Sequence, residues 1–256
     1  MNCKPAPYST DQKAVIERES SNYNEKITIQ MAESGSVNRK VRIYCDGIYD
    51  LFHQGHARQM MQAKNIFPKC EVYLIVGCCN DEMTHAKKGV TVLRDTERYE
   101  AIRHCRYVDE VLKDAPWIIT EKFLHENKID FVAQDSSPYV SDGNDIYKMV
   151  KDKNMFIPTQ RTDGISTSDI LKRIIKNHDI YVHRNLMRGI SAKEMNISIL
   201  TEKRIQMMEK CAQLRLNFTQ IFHLISSYFG SGTKLQITTD IDEKLIDTTM
   251  IDIDRH

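Results

Sequence analysis

Two histidines three residues apart carry the clearest chemical signal in this sequence. His53 and His56 lie in the string HQGH, shortly after an apolar run that ends at Asp46 and Gly47. Residues three apart on a helix share a face, so both imidazoles would project from the first turn of the helix that the following residues predict. The backbone N–H groups and the positive end of the helix dipole point at the same place. The pattern indicates two hydrogen-bond donors aimed at a phosphate, with two surface histidines or half of a metal site as the alternatives for this string alone.

A second chemistry-bearing stretch, residues 160–168, reads QRTDGISTS. Arg161 offers a planar, permanently charged fork that suits phosphate oxygens. Gly164 allows the backbone to approach a ligand closely. Ser166 and Thr167 would present hydroxyl and N–H groups at the start of a helix. Phosphate binding is therefore indicated, and a capped surface loop is the alternative for this stretch by itself.

The elements that must position these residues alternate between strand and helix. Strands are predicted at residues 41–45, 72–79, 108–112, 129–133 and 155–157, and helices at residues 57–67, 95–106, 120–127, 145–151 and 166–177. This order predicts an α/β fold, a Rossmann-like parallel sheet flanked by helices, and a C-terminal helical extension follows it. Ligands of such sheets bind beyond the carboxyl ends of the strands. Four polar residues follow predicted strand ends and can converge there: His53, Gln134, Asp135 and Gln160.

Composition excludes several classes of protein. Acids and bases nearly cancel in the 256 residues, giving a formal net charge of +1, so no bulk charge favours nucleic acid. We find no apolar run of about 18 residues, which a membrane-spanning helix needs, and no apolar signal core that would predict export. The seven cysteines are scattered and form no C-x-x-C pair, which favours reduced thiols in the cytoplasm or nucleus. P-loop and dinucleotide-binding glycine motifs are also absent.

Taken together, the strings CDGIYDLFHQGH and QRTDGISTS resemble the signatures of the HxGH nucleotidyltransferase superfamily. Within it they are most similar to the cytidylyltransferases that act on choline phosphate. RYE at residues 98–100 and HCRYVDEV at residues 104–111 add a third match, to a region that lies at the subunit contact in that family. The resemblance covers about residues 40–200. Two positions depart from the family pattern, since Asp163 replaces a Glu and Gln134 replaces the His of a His-Asp pair.

The resemblance implies transfer of a cytidylyl group from CTP to phosphocholine, giving CDP-choline and pyrophosphate for phosphatidylcholine synthesis. The phosphocholine phosphate is already a nucleophile, so catalysis would consist mostly of positioning and charge neutralisation. His53, His56, Lys88 and Arg161 are the catalytic residues that it implies. Mg²⁺ is implied as the counter-ion of CTP, with no dedicated metal site built from protein residues.

The binding residues implied by the resemblance come from several separate stretches. The expected CTP site comprises Asp46, Ile48, Tyr49, His56, Lys88, Gln134, Asp135, Tyr139, Gln160, Arg161, Thr162, Asp163, Gly164, Ile165, Ser166 and Thr167. The expected phosphocholine contacts are Lys88, Trp117 and Tyr139. Lys87 stands beside Lys88, so the choice between the two lysines stays open. Trp117 is the only tryptophan and would offer a cation–π face to a quaternary ammonium, with plain packing as its alternative.

The predicted domain order is a mobile tail at residues 1–39, with a short helix near residues 12–18, and a catalytic domain at residues 40–190. A helical, amphipathic segment at residues 191–230 and an acidic, disordered tail at residues 231–256 follow. The family implies a homodimer. Two interpretations of the amphipathic helix stay open, weak peripheral binding to anionic membranes and packing on the dimer or the active site.

Two alternative functions also remain at this stage. Another transferase of the superfamily would use phosphoethanolamine or glycerol 3-phosphate, although ethanolamine enzymes usually carry two tandem domains and a second HxGH string is absent here. A catalytically silent regulatory subunit is the other alternative, for which the Gln134 departure is the only ground.

Overall fold

The computed structural model describes residues 4–136, 140–141 and 144–228. Contacts divide the chain into two units, Met1–Ile175 and Lys176–His256. This boundary lies earlier than the one at residue 190 that the sequence predicts.

A five-stranded parallel sheet forms the centre of the first unit. The strands of this unit are β1 (Val41–Gly47), β2 (Val72–Cys78), β3 (Glu110–Lys113), β4 (Phe131–Asp135), β5 (Val140–Ser141), β6 (Asn144–Asp145) and β7 (Phe156–Thr159). The sheet has the order β3-β2-β1-β4-β7, and β5 pairs with β6 in a separate antiparallel ribbon. The predicted parallel α/β fold is thus confirmed. Because the strand order reverses between β1 and β4, the carboxyl ends of these two strands mark the place where such folds bind ligands.

Helices cover both faces of this sheet, which is why β2 is buried along its whole length. The helices of the first unit are α1 (Gln12–Ser20), α2 (Ile29–Ser34), α3 (Gln54–Lys64), α4 (Asp81–Lys87), α5 (Asp95–Arg103), α6 (Glu121–Glu126), α7 (Lys148–Asp152) and α8 (Thr167–Lys176). Helices α2 and α4 were not predicted from the sequence, because both are short and lack an apolar period. Asn80 nonetheless caps α4, since its side chain accepts the Met83 N–H at 2.9 Å.

Alternate residues of β1 pack into opposite layers of the core. Ile43 and Cys45 belong to one buried cluster, whereas Tyr44 belongs to the other. Tyr44 also lies across Gly77 of the neighbouring strand, so closely that a Cβ added there would come 2.0 Å from its Oη. Only glycine leaves room for this ring.

The N-terminal segment corrects one expectation. Residues 4–39 belong to the first unit and pack against its sheet, and they do not form the predicted mobile tail. Tyr8 pairs with Val111 of the edge strand β3 in a parallel bridge, and Arg39 donates two hydrogen bonds of 2.7 Å to the Asp130 carboxylate. These contacts join residues about a hundred positions apart, so local composition gave no sign of them.

The second unit, described by itself, contains α9 (His178–Met187) and α10 (Ile199–Tyr228). Val182 and Ile205 are buried within it, and Arg204 donates to Asp179 at 3.1 Å. Within the described part of the chain, no helix is long and apolar enough to cross a membrane.

Ser191 and Glu194 form a capping pair, with the Ser191 N–H 2.9 Å from the Glu194 carboxylate. It closes a turn, however, and the long helix begins only at Ile199. The tail predicted at residues 231–256 lies outside the described residues.

Candidate active site

One cavity of about 680 Å³ opens beyond the carboxyl ends of β1, β4 and β7. The sequence-derived residues that line it are Asp46, Ile48, Tyr49, His53, His56, Lys88, Trp117, Gln134, Asp135, Gln160, Arg161, Thr162, Ile165, Ser166 and Thr167. Asp163 and Gly164 do not line it, and Tyr139 lies outside the described residues. Lys88 lines the cavity whereas Lys87 does not, which favours Lys88 of the two candidate lysines.

The two histidines cap α3 together. The Gly55 N–H donates to His53 Nδ1 at 3.1 Å, and the His53 N–H donates to His56 Nδ1 at 3.4 Å. The rings stack with their centroids 3.8 Å apart. Because each Nδ1 accepts a backbone N–H, these hydrogen bonds assign the proton of each neutral ring to Nε2. Each imidazole therefore retains an Nε2–H as its donor.

Burial keeps both rings uncharged near neutral pH. Burial lowers the pKa of His53. Burial first, and then the neighbouring His53, lowers the pKa of His56 to about 3. Both rings thus present neutral donor groups, and the positive charge of the cavity wall comes from Lys88, Arg161 and Lys172.

The loop between β1 and α3 has an unusual backbone. Tyr49 and Leu51 have φ angles of 56° and 46°, in the left-handed region that non-glycine residues seldom occupy. Arg98, fully buried, holds this loop by donating to the Ile48 carbonyl at 2.6 Å, and its other guanidinium nitrogen pairs with Asp81 at 2.8 Å. A buried arginine therefore fixes the strained approach to the histidines.

Asp50 ties three stretches of the site together. Its carboxylate accepts the backbone N–H groups of residues 92 and 93, at 2.8 and 2.9 Å, in the loop that follows Lys88. Its carbonyl accepts the Thr167 hydroxyl at 3.0 Å. The histidine loop, the lysine loop and the start of α8 are joined through this one residue. Asp50 was not predicted as a site residue, although it lies inside the first motif.

The second motif lies against α3. Gln62 and Gln160 exchange two hydrogen bonds, in which the Gln160 N–H donates at 2.8 Å and the Gln62 amide donates at 3.0 Å. Ser166 caps α8, because the Asp169 N–H donates to the Ser166 Oγ at 3.1 Å. Both motifs thus border one cavity. No local signal could have identified Gln62.

Arg161 and Gly164 shape the loop of this motif. The Arg161 guanidinium lies 4.0 Å from the Asp135 carboxylate and is largely exposed. Gly164 has a φ of 72°, a conformation that favours glycine, and nothing crowds its Cα. The glycine is therefore required by the backbone turn, while the arginine stays accessible to the cavity.

A carboxylate and aromatic rings also line the cavity. Asp46 is buried, and the Tyr147 Oη lies 3.0 and 3.1 Å from its two carboxylate oxygens. Burial raises the pKa of Asp46 to about 6, and the hydrogen bond from Tyr147 opposes that rise. Trp117 lines the same cavity. An anionic group and an indole in one cavity suit an organic cation. Tyr147 was not predicted from the sequence.

Comparison with known proteins places these features in a family. A family model described as cytidylyltransferase-like matches residues 44–173, just over half of the chain. Human choline-phosphate cytidylyltransferase A is 51% identical over 214 residues, which are 83% of this chain and 57% of the human protein. A probable choline-phosphate cytidylyltransferase of Schizosaccharomyces pombe is 54% identical over 178 residues, which are 69% of this chain and 49% of the yeast protein.

An ethanolamine-phosphate cytidylyltransferase of Dictyostelium discoideum is 36% identical over 144 residues, 56% of this chain and 39% of that protein. The chain spans about half the length of the curated relatives that it matches. The matched region contains the carboxyl-terminal part of β1, the histidine pair, Lys88 and the loop around Arg161. The resemblance drawn from the motifs is confirmed at this level, and the chain belongs to the cytidylyltransferase-like family.

Proposed function

We propose that this chain transfers a cytidylyl group from CTP to phosphocholine, forming CDP-choline and releasing pyrophosphate. The observation that carries this proposal is that the histidine pair and the Arg161 loop border one cavity. The relatives named for choline phosphate are also more similar to this chain than the relative named for ethanolamine phosphate, with 51% against 36% identity.

In the reaction, an oxygen of phosphocholine attacks the α-phosphorus of CTP, and the bond to the bridging oxygen of pyrophosphate breaks. The attacking phosphate is already anionic, so no strong base is needed, and the protein has to place the two phosphates and neutralise charge. The Nε2–H groups of His53 and His56 donate to oxygens that gain charge in the transition state. Lys88, Arg161 and the N-terminus of α8 bind phosphate oxygens.

In this proposal the cationic end of phosphocholine contacts Asp46 and Trp117, which both line the cavity. Asp46 thereby takes a different role from the contact with CTP that the family resemblance implied. Above a pH of about 6 the Asp46 carboxylate is mostly ionised and attracts the quaternary ammonium, which cannot donate a hydrogen bond. The indole face adds a cation–π contact worth about 0.5–2 kcal/mol. We also propose that Tyr139 contacts phosphocholine, as the family resemblance implies.

Mg²⁺ is proposed as the counter-ion of CTP. The carboxylates lining the cavity, Asp46, Asp135 and Asp169, are single groups from separate elements. This donor set fits a magnesium ion that is coordinated chiefly by phosphate oxygens and water, with one carboxylate at most in contact. The ion would supply positive charge to the triphosphate.

Assembly, membrane binding and location are further parts of the proposal. A homodimer follows from the family resemblance. Weak binding of α10 to anionic membranes is supported by exposed apolar side chains such as Leu200 and Phe218, together with basic residues such as Lys203. The six cysteines described between residues 4 and 228 have free thiols, which favours the cytoplasm or nucleus.

The direct test offers purified protein CTP and Mg²⁺ with phosphocholine, phosphoethanolamine or glycerol 3-phosphate, with and without anionic vesicles. We expect turnover with a preference for phosphocholine. Preference for either other acceptor would overturn the substrate assignment, and no turnover under any condition would favour a silent subunit.

Two neighbouring lysines supply a matched control for the site. Lys88→Ala should reduce kcat/KM by at least about tenfold, because its ammonium contacts phosphates of both substrates in this proposal, as expected for a charged hydrogen-bond partner. Lys87→Ala should remain within about twofold of the wild type by the same reasoning, since Lys87 does not line the cavity. Equal losses in the two variants would contradict the assignment.

A further inference from the structure

The Gln134 side chain lies where the carboxyl ends of β1 and β4 meet, and all of its hydrogen-bonding positions are occupied by protein groups. Its Oε1 accepts the Asp135 N–H at 3.1 Å and also accepts a bond from the Gln59 amide. Its Nε2 donates to the Asp46 carbonyl at 2.9 Å and to the Tyr147 Oη at 2.9 Å. An amide can offer two donors and two acceptor positions, and protein groups engage all four.

The orientation of this amide is determined by its partners. The Asp46 carbonyl can only accept a hydrogen bond, and the Asp135 N–H can only donate one. Exchanging the amide oxygen and nitrogen would therefore place two acceptors together at one end and two donors at the other. Gln134 Nε2 must face Asp46 and Tyr147.

This orientation also determines how the Tyr147 hydroxyl points. A phenol has one proton, and Tyr147 Oη already accepts a hydrogen bond from Gln134. Its own proton is then directed at the Asp46 carboxylate, whose oxygens lie 3.0 and 3.1 Å away. Gln134, Tyr147 and Asp46 thus form a chain of donors that ends on the carboxylate assigned to the organic cation.

We propose that Gln134 is a positioning residue for the cationic headgroup, acting through Tyr147 on the Asp46 carboxylate. This inference rests on the proposed function, and it replaces the contact with CTP that the family resemblance implied for Gln134. A family histidine at this position could not reproduce the arrangement, because a neutral imidazole has one donor where the amide supplies two.

The test is a double-mutant cycle between Gln134→Leu and Tyr147→Phe, measured as KM for phosphocholine and KM for CTP. Gln134→Leu should raise the KM for phosphocholine about tenfold, at least five times more than it raises the KM for CTP. In the Tyr147→Phe background the same change should add less than about twofold, because the hydroxyl through which Gln134 acts is gone. Gln134→His, which keeps one donor, should lie between the wild type and Gln134→Leu.

Binding measured without turnover separates the two proposals. Trp117 is the only tryptophan and lines the cavity, so its fluorescence can report titration with phosphocholine alone. A wild type that neither binds nor uses phosphocholine overturns the proposed function and this inference together. A wild type that binds and uses it, with Gln134 and Tyr147 effects that multiply independently or with equal rises in both KM values, overturns the inference alone. Circular dichroism checks that Gln134→Leu folds, and if it does not, Gln134→His carries the same comparison in the Tyr147→Phe background.

Discussion

Replacing His56 with asparagine should make the protein more resistant to acid. In the folded protein the pKa of His56 is about 3, because its ring is buried, whereas the ordinary value is 6.5. Between these values the unfolded chain binds a proton that the folded protein does not. Stability contributed by this group is therefore present above pH 6.5 and is lost as the pH falls toward 3.

The magnitude follows from the pKa difference. A pH of 4 lies 2.5 units below the ordinary histidine pKa of 6.5 and still above the pKa of His56 in the folded protein. At 1.36 kcal/mol per unit, the free energy of unfolding therefore falls by about 3 kcal/mol between neutral pH and pH 4. The asparagine of the His56→Asn variant does not titrate, and its Oδ1 can accept the His53 N–H in place of Nδ1. We expect the two proteins to differ by less than about 1 kcal/mol at pH 7, as is common when a hydrogen bond is retained. At pH 4 the free energy of unfolding of the variant, relative to that of the wild type, should be about 3 kcal/mol more favourable than at pH 7.

Urea unfolding at pH 7 and pH 4, followed by circular dichroism, measures this difference. The variant must be compared with the wild type at each pH, because titration of Asp46 changes the free energy of unfolding in the opposite direction. Its pKa is raised to about 6, so its contribution to stability increases as the pH falls through that value, and it does so in both proteins. A stability difference that stays within about 1 kcal/mol from pH 7 to pH 4 would refute the claim that burial holds this ring neutral.

Three further substitutions test other parts of the structure. Gly77→Ala should lower the free energy of unfolding by about 1–3 kcal/mol or more, because the new Cβ would come 2.0 Å from Tyr44 Oη. Adding Tyr44→Phe should restore part of the lost stability. An unchanged free energy of unfolding in urea would contradict this packing. Gly164→Ala should lower the free energy of unfolding by about 1–2 kcal/mol, because a φ of 72° is strained for a residue with a side chain, and Gly164→Asn should have a smaller effect. Equal stabilities in thermal unfolding would contradict the left-handed conformation of residue 164. Asp50→Ala should lower the free energy of unfolding by about 1–3 kcal/mol, because the N–H groups of residues 92–93 lose their acceptor, and Asp50→Asn should be intermediate. Asp50→Ala should also raise the KM for CTP. An unchanged KM would show that the contacts of Asp50 do not influence the site.

The parts of the fold that follow from chain order were predictable. The periodicity of the strands and helices predicts a parallel sheet, and the carboxyl ends of parallel strands share one edge. His53, Gln134 and Gln160 could therefore be brought together without knowing any contact between them.

Contacts between distant side chains were not predictable in this way. Gln62 meets Gln160 across 98 positions, and Tyr147 meets Asp46 across 101. Each of these residues is ordinary in its own surroundings, and its role exists only after the chain has folded. Asp50 differs, because it lies within a motif, but its three-way contacts depend on loops that no periodicity describes.

The packing of the N-terminal segment has a practical consequence for anyone who shortens this protein. The match to the family model begins at residue 44, yet the cations that accompany Glu110 and Asp130 include Arg18 and Arg39, at 3.9 and 2.7 Å. A gene product trimmed to residues 44–173 would keep both motifs that line the cavity while uncovering the hydrogen-bonding groups of β3. We expect it to associate through this open strand and to be recovered as aggregates, because an uncovered edge strand is a template for pairing between chains.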